Sequence, residues 1–389
     1  MDFNGNIEFG VILFPFKKES IKLYFYQQPE GKFMEILENL YEFEIKKLDF
    51  LERKMVLEVE NINLYGPPGS GKSYLVWNYL SFLTPESYLY IDFSDLRIEK
   101  EVILEKLSLF LHENPIHTLV IDNWGGERLP EFSGQTIAVS RRPYPESRLT
   151  PRYLSTLDFE EYLLFDHHQS SQITHIFNSF LKNGTIPAIV RSQPDLRPLA
   201  TQEMLKQMYD APQKREIFLF ALRHTGLAFS LHQIFQRLKT AMKLSKDKFY
   251  LYVEELEAEG AVDFIPKYQQ PHAAKKIYTY DFALRSGVTF EKNFSNVYEN
   301  MILLELRKLY PDIYYHGMID FYIPEESLGV IAMPFTSHDG VENMMARLGN
   351  SIPLKRLEVI TMGHEEQFEY NGTLIEIQPF WQWALKDEK

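Results

Sequence analysis

The stretch that most constrains this 389-residue chain runs Asn61-Ile62-Asn63-Leu64-Tyr65-Gly66-Pro67-Pro68-Gly69-Ser70-Gly71-Lys72-Ser73-Tyr74. Alternating apolar residues lead into Gly-x-x-x-x-Gly-Lys-Ser, and a helical run follows from Tyr74 to Phe82. A strand that turns through glycines into a helix lets backbone N–H groups wrap a polyphosphate, with the positive end of the helix aimed at it. The spacing assigns that cradle to Gly66, Pro67, Pro68, Gly69, Ser70, Gly71, Lys72, Ser73 and Tyr74. Lys72 is placed to reach the β- and γ-phosphates and Ser73 to hold Mg²⁺. A bound nucleoside triphosphate is therefore expected; its hydrolysis is a separate question.

Downstream, Tyr88-Leu89-Tyr90-Ile91-Asp92-Phe93 reads as a second buried strand, followed by a charged amphipathic helix from Glu99 to Leu111. Ile116 to Asp122 and Gln135 to Ser140 read as two more strands. Strands alternating with helices predict a parallel, mostly buried sheet covered on both faces. Ligands bind beyond the carboxyl ends of such strands, where Asp122 and Ser140 would join the glycine-rich loop.

The chemistry of phosphoryl transfer assigns roles to these ends. Asp122 would orient Mg²⁺ through water, and Ser140 would touch the γ-phosphate or the attacking water. Many proteins of this type carry a glutamate directly after that aspartate to polarise the water. Asn123 stands there instead, and an amide can orient water but cannot take its proton, so general-base help worth typically 10²–10⁴-fold is in question. Glu127 would substitute only if the Trp124-Gly125-Gly126 turn folds back. Arg141, Arg142, Arg148 and Arg152 follow, any of which could supply positive charge to a transferring phosphoryl group.

Composition narrows the rest. Hydrophobic residues make up 45% and charged residues 24%, as in ordinary soluble globular domains, and the length allows two or three of them. With no cysteine there is no disulfide, no thiolate-bound zinc and no thiol nucleophile, which fits a cytoplasmic setting. No apolar run approaches a membrane span. A net charge of −13 argues against wholesale binding to nucleic acid or anionic membrane. His167 and His168 beside Asp166 lack a second histidine at helical spacing and read as a surface turn.

Residues 1–55 read as an extension of unknown role, with strand-like runs at 7–14 and 21–26 and a helical pattern near 33–41. From Lys214 to Asp281 three helices and a hairpin are expected, the pattern of a winged helix with its third helix as candidate recognition helix. This stretch holds 11 basic against 8 acidic residues, a net of +3 in an acidic chain. The last segment offers a long helix from Phe294 and several apolar strands. Glu299 in that helix and Asp320 in a strand are the kind of pair that a metal-dependent nuclease site contains. The next strand, Gly329 to Phe335, carries neither the further acid nor the lysine that such a site needs.

Taken together, these motifs resemble the prokaryotic AAA-type ATPases whose P-loop domain is joined to a winged helix and a restriction-endonuclease-like C-terminal domain. The likeness spreads over about 60–385. Besides the loop, Asp122 and Ser140, it rests on Leu157-Asp158-Phe159-Glu160-Glu161-Tyr162, the run from Phe180 to Ala188, Lys276 to Asp281, Tyr298-Glu299-Asn300 and Ile319-Asp320-Phe321. The resemblance implies an α/β P-loop fold of AAA type. It divides the chain into 1–55, a P-loop domain at 56–212, a winged helix at 213–285 and a nuclease-like domain at 286–389. It also implies ATP with Mg²⁺ as ligand, Asp122 as the Walker B acid and Ser140 at the sensor position. The chain departs from the pattern at Asn123 and at the missing Glu-x-Lys of the tail.

Three functions follow as expectations. The first is an ATP-binding protein with slow or partner-dependent hydrolysis driving a conformational switch. The second is a non-hydrolysing, nucleotide-gated DNA-binding protein or scaffold, and the third, disfavoured, a nucleotide-stimulated nuclease. Expected partners are ATP, DNA through the winged helix and further copies of the chain, with no membrane.

Overall fold

The computed structural model describes residues 31–47, 50–165, 172–349 and 351–386. The strand-like runs at 7–14 and 21–26 and the histidines at 167 and 168 lie outside the described residues.

Helix α1 (Gly31–Tyr41) precedes an alternation of β1 (Ile62–Tyr65), α2 (Lys72–Leu80), β2 (Tyr88–Asp92), α3 (Lys100–Glu113), β3 (Thr118–Asp122), β4 (Gln135–Val139) and β5 (Thr150–Tyr153). The five strands form one sheet in the order β2-β3-β4-β1-β5, and every pairing is parallel. Period-two alternation sorts their side chains into two layers. Leu89, Ile91, Leu119 and Ile121 meet Leu37 of α1 and Ile103, Leu107 and Phe110 of α3. Ile62, Leu64, Val120, Ile137 and Val139 meet Leu75, Val76 and Leu80 of α2. Covered on both faces, the interior strand β3 is buried throughout, which is why it reads as an apolar run.

Four helices follow: α4 (Phe159–Phe165), α5 (Ile173–Asn183), α6 (Pro187–Arg191) and α7 (Arg197–Gln207). Asp158 caps α4, its Oδ1 accepting from the Glu161 N–H at 2.7 Å. Gly184 ends α5 at φ +75°, where an added Cβ would lie 2.4 Å from Asp281 Oδ2. The turn demands glycine both for its left-handed backbone and for that close approach.

The next unit contains α8 (Pro212–Arg223), β6 (Ala228–Phe229), α9 (Leu231–Ala241), α10 (Lys246–Ala258), β7 (Val262–Ile265) and β8 (Lys275–Thr279). Its strands lie in the order β6-β8-β7, all antiparallel. Ser230 closes a capping box with Gln233 at the head of α9, and the Ser245 side chain caps α10. The three expected helices and hairpin are thus present; β6 was not foreseen.

The tail comprises α11 (Phe294–Leu306), β9 (Tyr314–His316), β10 (Ile319–Ile323), β11 (Leu328–Ala332), α12 (His338–Leu348), β12 (Arg356–Thr361), β13 (Glu366–Tyr370), β14 (Thr373–Pro379) and α13 (Phe380–Ala384). Its mixed sheet runs β13-β14-β12-β11-β10-β9. The core around α11 also takes in Phe159 of α4 and Phe177 and Phe180 of α5, all packed on Phe380. Helices α4 and α5 therefore share a core with the tail, while Leu205 of α7 packs in the core of the middle unit.

Candidate functional site

The loop between β1 and α2 is shaped by its glycines. Gly69 and Gly71 have φ of +79° and +94°. Gly66 passes so close to Leu154 that a Cβ would sit 2.3 Å from its carbonyl oxygen. Lys72 Nζ donates to the carbonyl oxygens of Gly66 and Pro67 at 2.8 and 2.9 Å. Burial pushes its ammonium down to about 8, with the nearby Asp122 and Glu259 pulling it up and Arg141 pushing it further down.

Asp122 ends β3 beside this loop. Its carboxylate accepts from the Tyr90 hydroxyl and from the Asn123 N–H, both at 2.7 Å, and the nearby Ser73 hydroxyl helps to stabilise its charge. Burial raises its carboxyl above the usual range despite those donors. Ser73 and Asp122, paired in sequence only by expectation, are thus neighbours at the cavity. Magnesium coordinated by a hydroxyl and an outer carboxylate fits this donor set, since both are hard oxygen ligands.

Ser140 follows β4 and is buried. Its hydroxyl accepts from Asn63 Nδ2 and donates to the Arg142 carbonyl, both at 2.7 Å. Ser140 is therefore tied to β1 and to the following turn. Asn123 has a left-handed backbone, φ +53°, and its Nδ2 donates to Asp92 Oδ1 at the end of β2, 2.8 Å away. Glu127 folds back on its own turn, accepting from Gly125 N–H and pairing with Lys100 at 3.3 Å.

A cavity of about 790 Å³ opens above the loop. Pro68, Gly69, Gly71, Lys72, Ser73 and Tyr74 line it together with Asp122, Asn123 and Ser140. Gly66, Pro67 and Ser70, expected in the same cradle, do not line it. Its opposite wall comes from Lys214 of α8 and Glu255 of α10 with the adjoining Glu259. Lys214 Nζ binds Glu255 and Glu259 at 2.8 and 2.5 Å. The C-terminal end of α10 thus faces the cavity, while Lys246, Lys248 and Tyr250 at its other end are exposed.

Of the four arginines, Arg141 and Arg142 line the cavity. Arg141 donates to the Met208 carbonyl at 2.6 Å and lies over the Tyr209 ring. Arg148 and Arg152 instead pair with Glu131 and Glu60 on the surface, both at 2.8 Å.

Arg53, a residue no motif singles out, braces the loop. Its Nη1 donates to the Ser70 carbonyl at 2.7 Å, and its Nη2 to the Ser155 carbonyl at 2.9 Å. Glu161 of α4 receives the guanidinium through both oxygens, at 2.8 and 3.1 Å. Both side chains are almost wholly buried, and a planar five-donor fork is what satisfying three separate acceptors requires.

The acidic pair of the tail has a partner from another unit. Lys276 of β8 places its ammonium 2.5 Å from Glu299 and 3.0 Å from Asp320. The Tyr278 hydroxyl also donates to Glu299, and the Ala332 N–H to Asp320 Oδ2 at 3.0 Å. Burial first, then the Asp320 charge, raises the Glu299 carboxyl; burial lowers the Lys276 ammonium, but the two acids more than reverse that. Among the described residues no group of three or more His, Cys, Asp or Glu is arranged to hold a metal ion.

A five-stranded parallel sheet with a glycine-rich loop between its β1 and α2 defines an α/β protein of P-loop architecture. No family model matches the chain. It is 22% identical to an uncharacterized protein of Methanocaldococcus jannaschii over 83% of this chain and 87% of that one. Two solved structures are similar in part. One is a Walker-type ATPase of Pyrococcus abyssi, at TM-score 0.43 and 11% identity over 64% of this chain and 99% of that one. The other is a katanin structure determined for its self-assembly, at TM-score 0.31 and 14% identity over 58% and 96%. No helix among the described residues is long and apolar enough to cross a membrane.

Proposed function

We propose that this chain binds Mg·ATP in the cavity over Gly66–Tyr74, and that slow or partner-dependent hydrolysis drives a conformational switch. One observation carries the reading: Lys72, Ser73 and Asp122 converge at the carboxyl edge of the parallel sheet, under a wall supplied by α8 and α10. A ligand there touches both the sheet and the helical unit, so its charge can bias how the two pack. Lys72 and the loop amides hold the phosphates, while Ser73 and Asp122 hold Mg²⁺. Adenine rather than guanine follows from the family resemblance.

In the same reading, 56–212 is an AAA-type P-loop domain, 213–285 a winged helix and 286–389 a restriction-endonuclease-like domain without cleavage activity, all in a cytoplasmic protein. Lys276 supports the last point, since an internal ammonium stands between the two carboxylates that would otherwise bind metal. DNA contact falls to the exposed Lys246, Lys248 and Tyr250, because the other end of α10 faces the cavity. Self-association remains part of the proposal, and Arg141 or Arg142, of the same copy or of a neighbouring one, supplies positive charge to the phosphates.

Titration of a fluorescent ATP analogue with Mg²⁺ tests the central claim. Saturable binding that Lys72→Ala removes is the expected result. Equal binding by wild type and Lys72→Ala would refute it.

A further inference from the structure

Asn123 stands where a water-activating carboxylate is expected, yet its side chain is not idle. The Nδ2 group donates to Asp92 Oδ1 at 2.8 Å and approaches Ser94 Oγ at 3.3 Å. Asp92 and Asp122 are aligned partners on adjacent parallel strands, β2 and β3. The two acids therefore end neighbouring strands: Asp122 and Asn123 line the cavity, and Asp92 is joined to it through the Asn123 amide. Three donors, Asn123 Nδ2, Ser94 N–H and Ser94 Oγ, converge on Asp92 Oδ1, the two from Ser94 also at 2.8 Å. None of these bonds goes to Oδ2.

Two chemical constraints follow. An ionised carboxylate only accepts hydrogen bonds, so the amide face turned to Asp92 must be the nitrogen. The Asn123 carbonyl oxygen is thereby left as an acceptor, on a residue that lines the cavity. The donors on Oδ1 fix the carboxylate's rotation, which leaves Oδ2 as its second accepting atom.

We propose that Asp92 is the general base of this site and that Asn123 orients the attacking water for it. This rests on the ATP-binding reading above and adds the residue that makes hydrolysis feasible. The water oxygen forms a bond to the γ-phosphorus as the bond from that phosphorus to the β,γ-bridging oxygen breaks. The water's proton passes to Asp92 Oδ2, and the electron pair of the broken bond stays on ADP, whose charge Lys72 neutralises. Asp92 then returns the proton to solvent. A strand-end acid reached through an amide takes the place of a base on the residue directly after Asp122.

Phosphate release and binding of a fluorescent ATP analogue are measured together for wild type, Asp92→Asn, Asp92→Asn/Asn123→Glu and Lys72→Ala. Asp92→Asn keeps both acceptor and shape, so folding is preserved, and its melting temperature checks this. The expected result is a fall in turnover on the order of 10²-fold with unchanged ATP affinity, as for loss of a general base. Adding Asn123→Glu to Asp92→Asn puts a carboxylate back beside the water and should restore turnover. Turnover of Asp92→Asn equal to wild type overturns the proposal. So does wild-type turnover no greater than that of Lys72→Ala while ATP still binds. Absence of ATP binding in wild type instead defeats the reading on which the proposal rests.

Discussion

Lys276 Nζ lies 3.0 Å from Asp320 Oδ1 and in contact with Glu299, so a cation from β8 is shared by two carboxylates of the tail. The neighbouring backbone binds the same two units: Tyr268 N–H donates to the Tyr315 carbonyl at 2.9 Å, and Tyr315 N–H to the Pro266 carbonyl at 3.0 Å. Asn300 of α11 makes two further bonds, accepting from Thr279 N–H and donating to its carbonyl, both at 2.9 Å. The hairpin of β7 and β8 is fastened to the tail along its length.

Removing Lys276 leaves two acids facing each other with little solvent. Lys276→Met is expected to lower unfolding free energy by about 3–5 kcal/mol, the usual cost of stranding a buried charge. Lys276→Met/Glu299→Gln/Asp320→Asn should recover most of that loss. Urea denaturation of the three proteins measures both steps, and an unchanged midpoint in the single variant would show the ammonium to be dispensable.

Nucleotide affinity should depend on pH through Lys72. Its ammonium, held at about 8 by burial, is charged below that pH and neutral above it. Phosphates prefer the charged form and are themselves already ionised there. Binding is therefore strongest below pH 8 and weakens above it, by up to roughly tenfold per pH unit. In Lys72→Arg, whose guanidinium stays charged, the decline should vanish even if affinity is lower throughout. Binding titrations between pH 7 and 9.5 check the sign.

Glu255 and Glu259 set negative charge on the wall opposite the phosphate loop. Glu255→Gln should tighten ATP binding by several-fold, because Lys214 retains Glu259 and one repulsive charge is lost. The gain should shrink in high salt. Isothermal titration at two ionic strengths measures it; weaker binding in the variant would mean Glu255 contacts the ligand favourably.

Arg53 combines a structural and a positioning role. Arg53→Met strands Glu161 and should cost about 3–5 kcal/mol of stability. In Arg53→Met/Glu161→Leu the stranded charge is gone, so stability should return while ATP affinity stays low, because the Ser70 carbonyl still lacks its donor. Melting curves and ATP titrations of both variants separate the two effects.

The loop, Asp122 and Ser140 were legible because each is encoded by a local pattern, a glycine spacing or the polar end of an apolar strand. The three helices of the middle unit were legible for the same reason, through Ser230, Ser245 and Gly260 at their ends. Asp92 was visible as a strand end, but its neighbour depends on strand order, which no local pattern carries. Arg53 meets Glu161 across 108 positions and Lys276 meets Asp320 across 44. Helix α12 and strand β13 escaped because their apolar positions are interrupted by polar ones, leaving no clear period. Distance in sequence, rather than weak chemistry, hid the rest.

Arg53 also decides what can be cut out of this chain and moved elsewhere. A fragment beginning at residue 56 would carry the whole glycine-rich loop and Asp122, yet would leave Ser70 unsupported and Glu161 buried without a counter-ion. The smallest portable nucleotide module begins before Arg53 and extends past Glu161. Grafted with those limits, the loop would travel with the brace that shapes it; grafted by its motif alone, it would arrive slack.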